Sequence, residues 1–378
     1  MSVKYFDNAA TTRVDQTVAA IVDQYNRQVF YNPSANYRLS VETHNLITEA
    51  REKILRCLKA QNGTLIFTSS GTEADNQAVF CSKKRRNSNV VISAVEHPAV
   101  YNSVNALKNM GYDVRICPVD GVGRVDTEVF RDLIDQNTSF VSVMHVNNET
   151  GAINDIAQLV QIAKNINPSL IFHADGVQAF GKIPVNVAEY NVDLYTISGH
   201  KIGAPKGIAA LYVKKGVSIS PLLYGGGQED GNRSSTENVS GIMAFAYAAE
   251  RAVNELGDNK AKYLSFIDYL KKNLSEIEEI KFVSDEKCSP HIFTFAFKSV
   301  RGEVLQHALE GADILVGTGS ACSARRSHDR IPAALGLKEY SDGVLRVSFG
   351  RENGFEEVVC LLDAIKNNYE VLKKYVGK

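Results

Sequence analysis

Two short motifs in this 378-residue chain carry residues that are suited to cofactor chemistry. Ser198-Gly199-His200-Lys201 follows an apolar run and places an amine at the end of a predicted strand. Asp175 follows another apolar run, residues 170–172, and Gln178 comes three positions later. An amine for a Schiff base and a carboxylate for a pyridinium nitrogen are the minimum that pyridoxal phosphate (PLP) chemistry requires. The motifs therefore predict a PLP site around Lys201 and Asp175.

A third motif, Ser69-Ser70-Gly71-Thr72-Glu73, joins a predicted strand to a predicted helix. Backbone N–H groups and the positive end of the helix dipole favour an anion at such a point, and Thr72 adds a hydroxyl group. Ser198 and His200 could complete this phosphate cradle from a second strand end. The alternative is a capping box of Ser70 with Glu73, which needs no ligand.

Other polar residues near predicted strand ends have two interpretations. His97 could stack on a cofactor ring or move a proton, although a histidine in a turn is more often structural. Asn148 has the same ambiguity. Lys206 is a rival Schiff-base lysine, but its position between Pro205 and Gly207 is typical of a turn. We therefore favour Lys201.

The C-terminal part contributes a thiol and an arginine. Cys322 lies among small residues in a segment without hydrophobic periodicity, and the nearby Arg325 and Arg326 would lower the pKa of its thiol. The alternative is an idle surface thiol. Arg346 lies on a predicted strand and suits a bidentate contact with a carboxylate, or else a salt bridge between domains.

These motifs need a scaffold that brings strand ends together. Between residues 64 and 215, β-rich runs alternate with helical stretches such as 73–80 and 155–165. This alternation predicts a mainly parallel, doubly wound α/β sheet. In such a sheet the ligand site lies at the carboxyl ends of the strands. The predicted strands are residues 64–68, 89–93, 113–117, 140–144, 170–173, 194–197 and 208–213.

The remaining pattern predicts two domains. A long helical stretch, residues 241–277, leads out of the first, and a strand at 292–297 and a helix at 355–375 belong to the second. We predict a large PLP-binding domain over residues 15–255. Residues 1–14 and 256–378 would form a smaller α+β domain that carries Cys322.

Composition limits the classes of partner. The formal net charge of −1 gives no reason to expect nucleic acid or an anionic membrane surface as a direct partner. No apolar run has the length of a signal core or a membrane span. The 6 cysteines include no close pair spaced for zinc or redox chemistry. We expect a cytoplasmic enzyme with free thiols and no metal site.

Several further segments occur in a specific order. They are Asp7-Asn-Ala-Ala-Thr-Thr12, Phe67-Thr-Ser-Ser-Gly-Thr-Glu-Ala-Asp-Asn76, Met144-His-Val-Asn-Asn-Glu149, Gly225-Gly-Gly-Gln-Glu229 and Gly319-Ser-Ala-Cys322. With the motifs above, the chain resembles over almost its whole length the cysteine desulfurases of the NifS/IscS type. These are PLP-dependent enzymes of fold type I in the class V aminotransferase superfamily.

The resemblance implies a role for each candidate residue. It assigns Lys201 to the Schiff base, Asp175 to the pyridine nitrogen of PLP, Gln178 and Asn148 to its phenolic oxygen, and His97 to ring stacking and proton transfer. The phosphate of PLP would be bound by Gly71, Thr72, Ser198 and His200, and by Thr236 across a dimer interface. Arg346 would bind the substrate carboxylate, and Cys322 would attack the substrate sulfur. Asn148 would also lie near the substrate.

The resemblance also implies the reaction. A homodimer would convert L-cysteine to L-alanine and hold the sulfur as a Cys322 persulfide. An acceptor protein in iron–sulfur cluster assembly or thiolation would then receive it. The alternatives are a selenocysteine lyase or another PLP-dependent lyase of this fold, and a degenerate homologue that acts as a scaffold.

The chain departs from the family pattern at a few positions. Tyr37 replaces a usual His, and Asp230 and Ser235 replace a usual Arg and Gly. Residues 323–330 are more basic than usual and lack the common Glu-Pro. Asp230 and Ser235 lie near the expected dimer contact, and the altered stretch after Cys322 affects the choice of sulfur acceptor.

Overall fold

The structure is a computed structural model that describes residues 3–81, 87–318 and 330–375. In this part of the chain the strands are β1 (Lys4–Phe6), β2 (Gly63–Thr68), β3 (Asn89–Ser93), β4 (Asp113–Cys117), β5 (Thr138–Ser142), β6 (Ile171–Asp175), β7 (Leu194–Ser198), β8 (Ala209–Lys214), β9 (Ile280–Phe282), β10 (Ile292–Phe297), β11 (Ile314–Val316) and β12 (Val344–Ser348).

The helices of the same ranges are α1 (Gln16–Arg27), α2 (Arg38–Cys57), α3 (Gly71–Cys81), α4 (Pro98–Asn109), α5 (Thr127–Leu133), α6 (Ile156–Ile166), α7 (Val187–Tyr190), α8 (Val239–Asn254), α9 (Leu256–Leu274), α10 (Gly302–Glu310), α11 (Arg330–Ala334) and α12 (Phe355–Lys373). Short 3-10 turns cover Gly199–Lys201, Glu229–Gly231 and Lys338–Gly343. Among the described helices, none is long and apolar enough to cross a membrane.

The largest sheet has the strand order β2-β8-β7-β6-β5-β3-β4. β8 is antiparallel to its neighbours β2 and β7, and the other neighbouring pairs are parallel. Strands β3, β5 and β7 are buried along their whole length, which is typical of a sheet with helices on both faces. The predicted doubly wound sheet is confirmed. Because β2, β6 and β7 run in one direction, their carboxyl ends lie at the same edge.

Strand limits in this sheet agree with the prediction to within two residues. β5 differs at both ends: it starts at Thr138 and stops at Ser142 instead of residue 144. Beyond Ser142 the N–H groups of Val143 and His145 still donate to β6, but the Met144 N–H donates to Oε1 of Glu96 at 2.7 Å instead of to a strand. An apolar run predicts a strand but not the buried side chain that ends it.

A second apolar core lies beside two small sheets. One is antiparallel with the order β12-β10-β9, and the other pairs β1 with β11 in parallel. Phe6 of β1 is fully buried in this core with Phe266 of α9 and Phe295 of β10. The first strand of the chain therefore packs with the C-terminal elements.

The helical stretch predicted at residues 241–277 is two helices. Glu255 separates α8 from α9, and its carboxylate pairs with Arg351. Phe245 of α8 packs in the core of the large sheet, whereas Phe266 of α9 packs in the second core. Two amphipathic helices in direct succession give one continuous periodic pattern, so the sequence did not indicate the break. The domain limits at residues 14 and 255 remain a prediction.

Candidate active site

The turns after β2, β6 and β7 lie against one another. A side chain at Gly71, the first residue of α3, would come within 3.0 Å of Cγ2 of Val177 and 3.7 Å of Cβ of Ser198. A Cβ at residue 71 would press on the Val177 side chain, so glycine suits the close approach of the three turns. The structure brings the predicted phosphate cradle beside the predicted Asp175 and Lys201 motifs.

The N-terminus of α3 contains the capping interactions that the sequence left open. The Ser70 hydroxyl accepts a hydrogen bond from the Glu73 N–H at 3.1 Å, and the Glu73 carboxylate accepts one from the Ser69 N–H at 2.8 Å. Glu73 also pairs with Arg233 at 2.7 Å. First-turn N–H groups have no partner inside a helix, so those of Gly71 and Thr72 are available to an anion. Capping and anion binding are thus compatible here.

Asp175 shares a buried environment with Asp75, which the sequence analysis did not single out. Oδ1 of Asp175 accepts a hydrogen bond from the Val177 N–H at 2.9 Å, and burial raises the pKa of Asp175 to about 6. Burial, with the charge of Asp175, raises the pKa of Asp75 well above its usual range. Two neighbouring acids resist double ionisation. At neutral pH the negative charge therefore lies on Asp175, and Asp75 is protonated.

Lys201 and Gln178 are held by backbone oxygens of residues 7–12, which we call the N-terminal segment. The Lys201 ammonium donates to the carbonyls of Ala9 at 2.6 Å and Ala10 at 2.8 Å. Nε2 of Gln178 donates to the same Ala9 carbonyl at 2.8 Å. The rival lysine, Lys206, is exposed. Lys201 is thus bound within the site, whereas Lys206 lies at the surface near His200.

Two candidate histidines, His97 and His200, each make one hydrogen bond through Nδ1. His97 caps α4, where its Nδ1 accepts from the Ala99 N–H at 3.1 Å, so the proton of the neutral ring is on Nε2. Burial, with the charges of Lys201 and Arg330, lowers the pKa of His97 to about 4. Nδ1 of His200 lies 3.1 Å from Oγ1 of Thr11, and burial lowers its pKa to about 4 as well. Both rings are neutral at physiological pH.

Arg346 makes a salt bridge with Asp7, which belongs to the same predicted domain and not to the large domain that the alternative interpretation required. Its Nη2 lies 2.6 Å from Oδ1 of Asp7, and its Nη1 donates to the Asn148 carbonyl at 2.8 Å. Its Nε is buried and has no hydrogen-bond partner among the described residues. Arg346 therefore joins β12 to the N-terminal segment and keeps one unused donor.

Cys322 lies outside the described residues, but the residues on either side of its segment are in contact with the site. A side chain at Gly317 would come within 2.8 Å of Nη2 of Arg346, so Gly317 packs against the Asp7–Arg346 pair. The Arg330 guanidinium donates to the Glu96 carbonyl at 2.7 Å, next to His97. It also lies 4.2 Å above the ring of Tyr101.

Thr236 is a candidate that lies at the surface of this chain. Its side chain is exposed and lines a cavity of about 140 Å³ with Thr68 and Ser69. Tyr37 and Ser235, two of the positions that depart from the family pattern, are exposed too. Surface exposure agrees with a contact made by a second chain.

Comparison with known proteins gives the family. The model of the Aminotransferase class-V family matches residues 4–361. A cysteine desulfurase IscS of Dictyoglomus turgidum is 35% identical over 376 residues, which are 98% of this chain and 95% of that protein. The chain belongs to the class-V aminotransferase family and to its NifS/IscS-type cysteine desulfurases.

Solved structures agree with this assignment. A NifS-like protein matches with a TM-score of 0.91 at 33% identity, over 98% of this chain and 100% of the other. A structure described as SspA in complex with cysteine matches with a TM-score of 0.77 at 27% identity, over 92% of this chain and 98% of the other. The NifS/IscS fold therefore accounts for nearly the whole chain.

NifS/IscS-type enzymes use PLP, and the described residues fit that group. The Ser198 hydroxyl is buried without a hydrogen-bond partner among the described residues, as expected of a donor to a phosphate oxygen. Gly71 keeps the turn that would carry the phosphate close to Val177 and Ser198. Asp175 is a buried anion that suits a protonated ring nitrogen, and Lys201 supplies the amine.

The sequence analysis missed several groups that the structure places at this NifS/IscS site. Asp75 could have been noticed, because it lies on α3 with the buried Ala74, Ala78 and Val79, where a carboxylate is unexpected. His291 contacts Gln178 and directly precedes β10, which is buried along its whole length. The Ala9 and Ala10 carbonyls carry no side-chain signal at all.

Glu96, which precedes His97, is a further missed group. Its side chain is fully buried, and Oε1 accepts from the Met144 N–H at 2.7 Å and the Ser93 hydroxyl at 2.5 Å. Oε2 has no hydrogen-bond partner in the described ranges. Burial raises the pKa of Glu96 to about 8, against the opposing effect of the two hydrogen bonds.

Replacing this carboxyl group, Glu96→Gln, should flatten the dependence of folding stability on pH. In the unfolded chain Glu96 loses its proton near pH 4.5, whereas in the folded protein it keeps the proton up to about pH 8. The wild-type free energy of unfolding therefore falls through this window, by at most about 1.4 kcal/mol per pH unit. Glutamine removes that fall, and urea unfolding of both proteins between pH 4.5 and 8 measures it.

The matched control is Glu52→Gln, because the Glu52 side chain is 62% exposed. Its free energy of unfolding should follow the wild-type curve at every pH. A constant difference between Glu96→Gln and wild type across the range would contradict a protonated Glu96.

Proposed function

We propose that this chain is a PLP-dependent cysteine desulfurase. Its substrate is L-cysteine, its products are L-alanine and a persulfide on Cys322, and an acceptor protein takes the persulfide sulfur for iron–sulfur cluster assembly or thiolation. The observation that carries the proposal is the convergence of Lys201, Asp175 and Gln178 beside the buried Ser198 hydroxyl. Family membership supports the same reaction.

The cofactor site follows from the charges and donors described above. When bound, PLP withdraws electrons from the substrate α-carbon, which makes the α-proton removable and weakens the bond between Cβ and sulfur. Asp175 supplies the negative charge that keeps the ring nitrogen protonated. Thr72, Ser198 and His200 hold the phosphate, together with the first N–H groups of α3.

The proton transfers fall to Lys201 and His97. The amine of Lys201 removes the α-proton, and the Ala9 and Ala10 carbonyls direct its Nζ. His97 keeps a proton on Nε2, because its Nδ1 is engaged by the Ala99 N–H. A neutral ring with a fixed tautomer can offer the Nε2–H as a hydrogen bond without first changing its orientation, whereas a transfer of that proton requires the ring to take up a proton first.

Arg346 is suited to the carboxylate of L-cysteine. Its guanidinium is buried, which strengthens charge-assisted hydrogen bonds, and its Nε has no partner among the described residues. Asn148 lies next to it through its carbonyl oxygen. The carboxylate of the substrate would compete with Asp7 for the same guanidinium.

Cys322 completes the reaction as the sulfur acceptor inside the enzyme. The bond between Cβ of the substrate and its sulfur breaks, and a bond between that sulfur and Sγ of Cys322 forms. The electron pair stays on Cβ, which gains a proton, so L-cysteine and one thiol become L-alanine and one persulfide. Gly317 and Arg330, described on either side of the Cys322 segment, contact Arg346 and the Glu96–His97 turn.

A homodimer and a cytoplasmic location are part of the proposal. Thr236 would reach the phosphate of the second chain from its exposed position. Large apolar side chains are also exposed, among them Tyr224 at 82% and Phe30 at 66%, as expected of a surface that another chain covers.

Turnover of L-cysteine by the PLP-loaded protein tests this function, with Cys322→Ser as the decisive variant. The wild-type protein should show a visible absorption band that changes on addition of L-cysteine, and with a reductant it should release alanine and sulfide in equal amounts. Cys322→Ser should lose this turnover while it keeps the visible band, because only the sulfur-accepting thiol is gone.

The matched control is Cys360→Ser, which removes an exposed thiol on α12 and should leave turnover unchanged. Full turnover by Cys322→Ser would favour a lyase that releases sulfur directly, and L-selenocysteine would then be the next substrate to assay. A protein that binds no PLP would leave only a scaffold role.

The proposed carboxylate contact predicts that Arg346→Lys raises KM for L-cysteine roughly 10- to 100-fold, because one ammonium group cannot replace a bidentate guanidinium. The expected change in kcat is smaller. Initial rates over a range of L-cysteine concentrations separate the two.

Arg351→Lys is the control, because Arg351 is 40% exposed and pairs with Asp15 and Glu255 instead. Its KM should equal that of the wild type. If Arg346→Lys lowers only the free energy of unfolding and leaves KM unchanged, Arg346 serves the Asp7 salt bridge alone.

A further inference from the structure

His291 is a buried histidine that contacts the site without a role in the proposed function. It is 1% exposed and lies directly before β10. Its Nδ1 is 2.7 Å from the Ser289 hydroxyl, and its Nε2 is 3.2 Å from Oε1 of Gln178. The nitrogen of the Gln178 amide donates to the Ala9 carbonyl. A chain of hydrogen bonds therefore runs from Ser289 through His291 and Gln178 to Ala9.

The partners of Gln178 determine the orientation of its amide. The Ala9 carbonyl is only an acceptor, so the amide atom 2.8 Å from it must be Nε2. The atom that faces His291 is then Oε1, which needs a donor. Nε2 of His291 must therefore carry a hydrogen.

The surroundings of His291 favour that tautomer. With its hydrogen on Nε2, the neutral ring accepts at Nδ1 from the Ser289 hydroxyl. Burial and the nearby cations Lys182, Arg346 and Lys201 lower its pKa well below the usual range, which keeps the ring neutral. Each polar atom of the imidazole thus has one partner of the right kind.

A fixed amide leaves one hydrogen of Gln178 in a defined place. Nε2 has two hydrogens, and the Ala9 carbonyl takes one of them. The other is available to the phenolic oxygen of PLP. If the amide rotated, its oxygen would face both the Ala9 carbonyl and the phenolic oxygen, and neither contact would be favourable.

We propose that His291 is a positioning residue that holds Oε1 of Gln178, so that the amide nitrogen faces the cofactor. The inference rests on the proposed function, because it assumes that Gln178 binds the phenolic oxygen of PLP. His291 itself acts through Gln178 and has no assigned contact with the cofactor or the substrate.

The experiment measures PLP binding to the full-length apoprotein by visible absorbance, which does not depend on turnover. His291→Phe keeps a ring but removes the donor, and it should weaken PLP binding about tenfold, the equivalent of one hydrogen bond. His291→Gln restores an N–H group near the position of Nε2, so its dissociation constant should lie within about threefold of the wild-type value.

A double-mutant cycle separates positioning from packing. If His291 acts through Gln178, then His291→Phe should have no further effect in a protein that already carries Gln178→Leu. The visible absorption maximum of the bound cofactor should follow the same pattern. An equal loss in both backgrounds would show that His291 only supports the fold, and would overturn the proposal.

The remaining outcomes separate the positioning role of His291 from the proposed function. Wild-type affinity in His291→Phe overturns the positioning role and leaves the proposed function intact. Absence of PLP binding by the wild-type protein overturns both. If His291→Phe does not fold, Ser289→Ala serves as the test, because without the hydroxyl at Nδ1 the ring can take the other tautomer, which presents no donor to Oε1 of Gln178. An unchanged dissociation constant for Ser289→Ala then overturns the proposal.

Discussion

The N-terminal segment is the constraint on which the site depends, because it touches both parts of the fold. The carbonyl oxygens of Ala9 and Ala10 hold Lys201, and Asp7 pairs with Arg346 on β12. Thr12 bonds the turn that carries Lys201, since its hydroxyl donates to the His200 carbonyl at 2.8 Å. Six residues therefore link Lys201, the proposed Schiff-base lysine, to the arginine proposed for the substrate carboxylate.

Burial sets the charges of this site more than ion pairing does. It keeps Asp75 and Glu96 protonated and the imidazoles of His97 and His200 neutral at physiological pH. Asp175 keeps its charge, because the Val177 N–H and the nearby Lys201 oppose the effect of burial. The buried site thus has few charged groups, and each lies where the proposed reaction needs one. His97, whose tautomer is fixed by the Ala99 N–H, therefore acts as a directed hydrogen-bond donor rather than as a charge.

Much of this arrangement could be predicted from the sequence, because apolar runs followed by polar motifs mark strand ends in a parallel sheet. Asp175, Ser198 and Lys201 are together for that reason. Three features had no such signal. Backbone carbonyls leave no trace in a residue pattern, the break at Glu255 lies inside one helical periodicity, and His291 reaches Gln178 from a different sheet. Contacts between distant segments depend on how the two cores pack, which local patterns do not specify.

The central claim is that Lys201, held by the N-terminal segment, is the lysine that bonds PLP. Borohydride reduction of the PLP-loaded protein, followed by digestion and mass spectrometry, measures this directly, because reduction makes the link between lysine and cofactor permanent. We expect the phosphopyridoxyl group on the peptide that contains Lys201, at the nitrogen of that residue. A label on Lys206 or on any other lysine, or no label after reduction, would contradict the assignment.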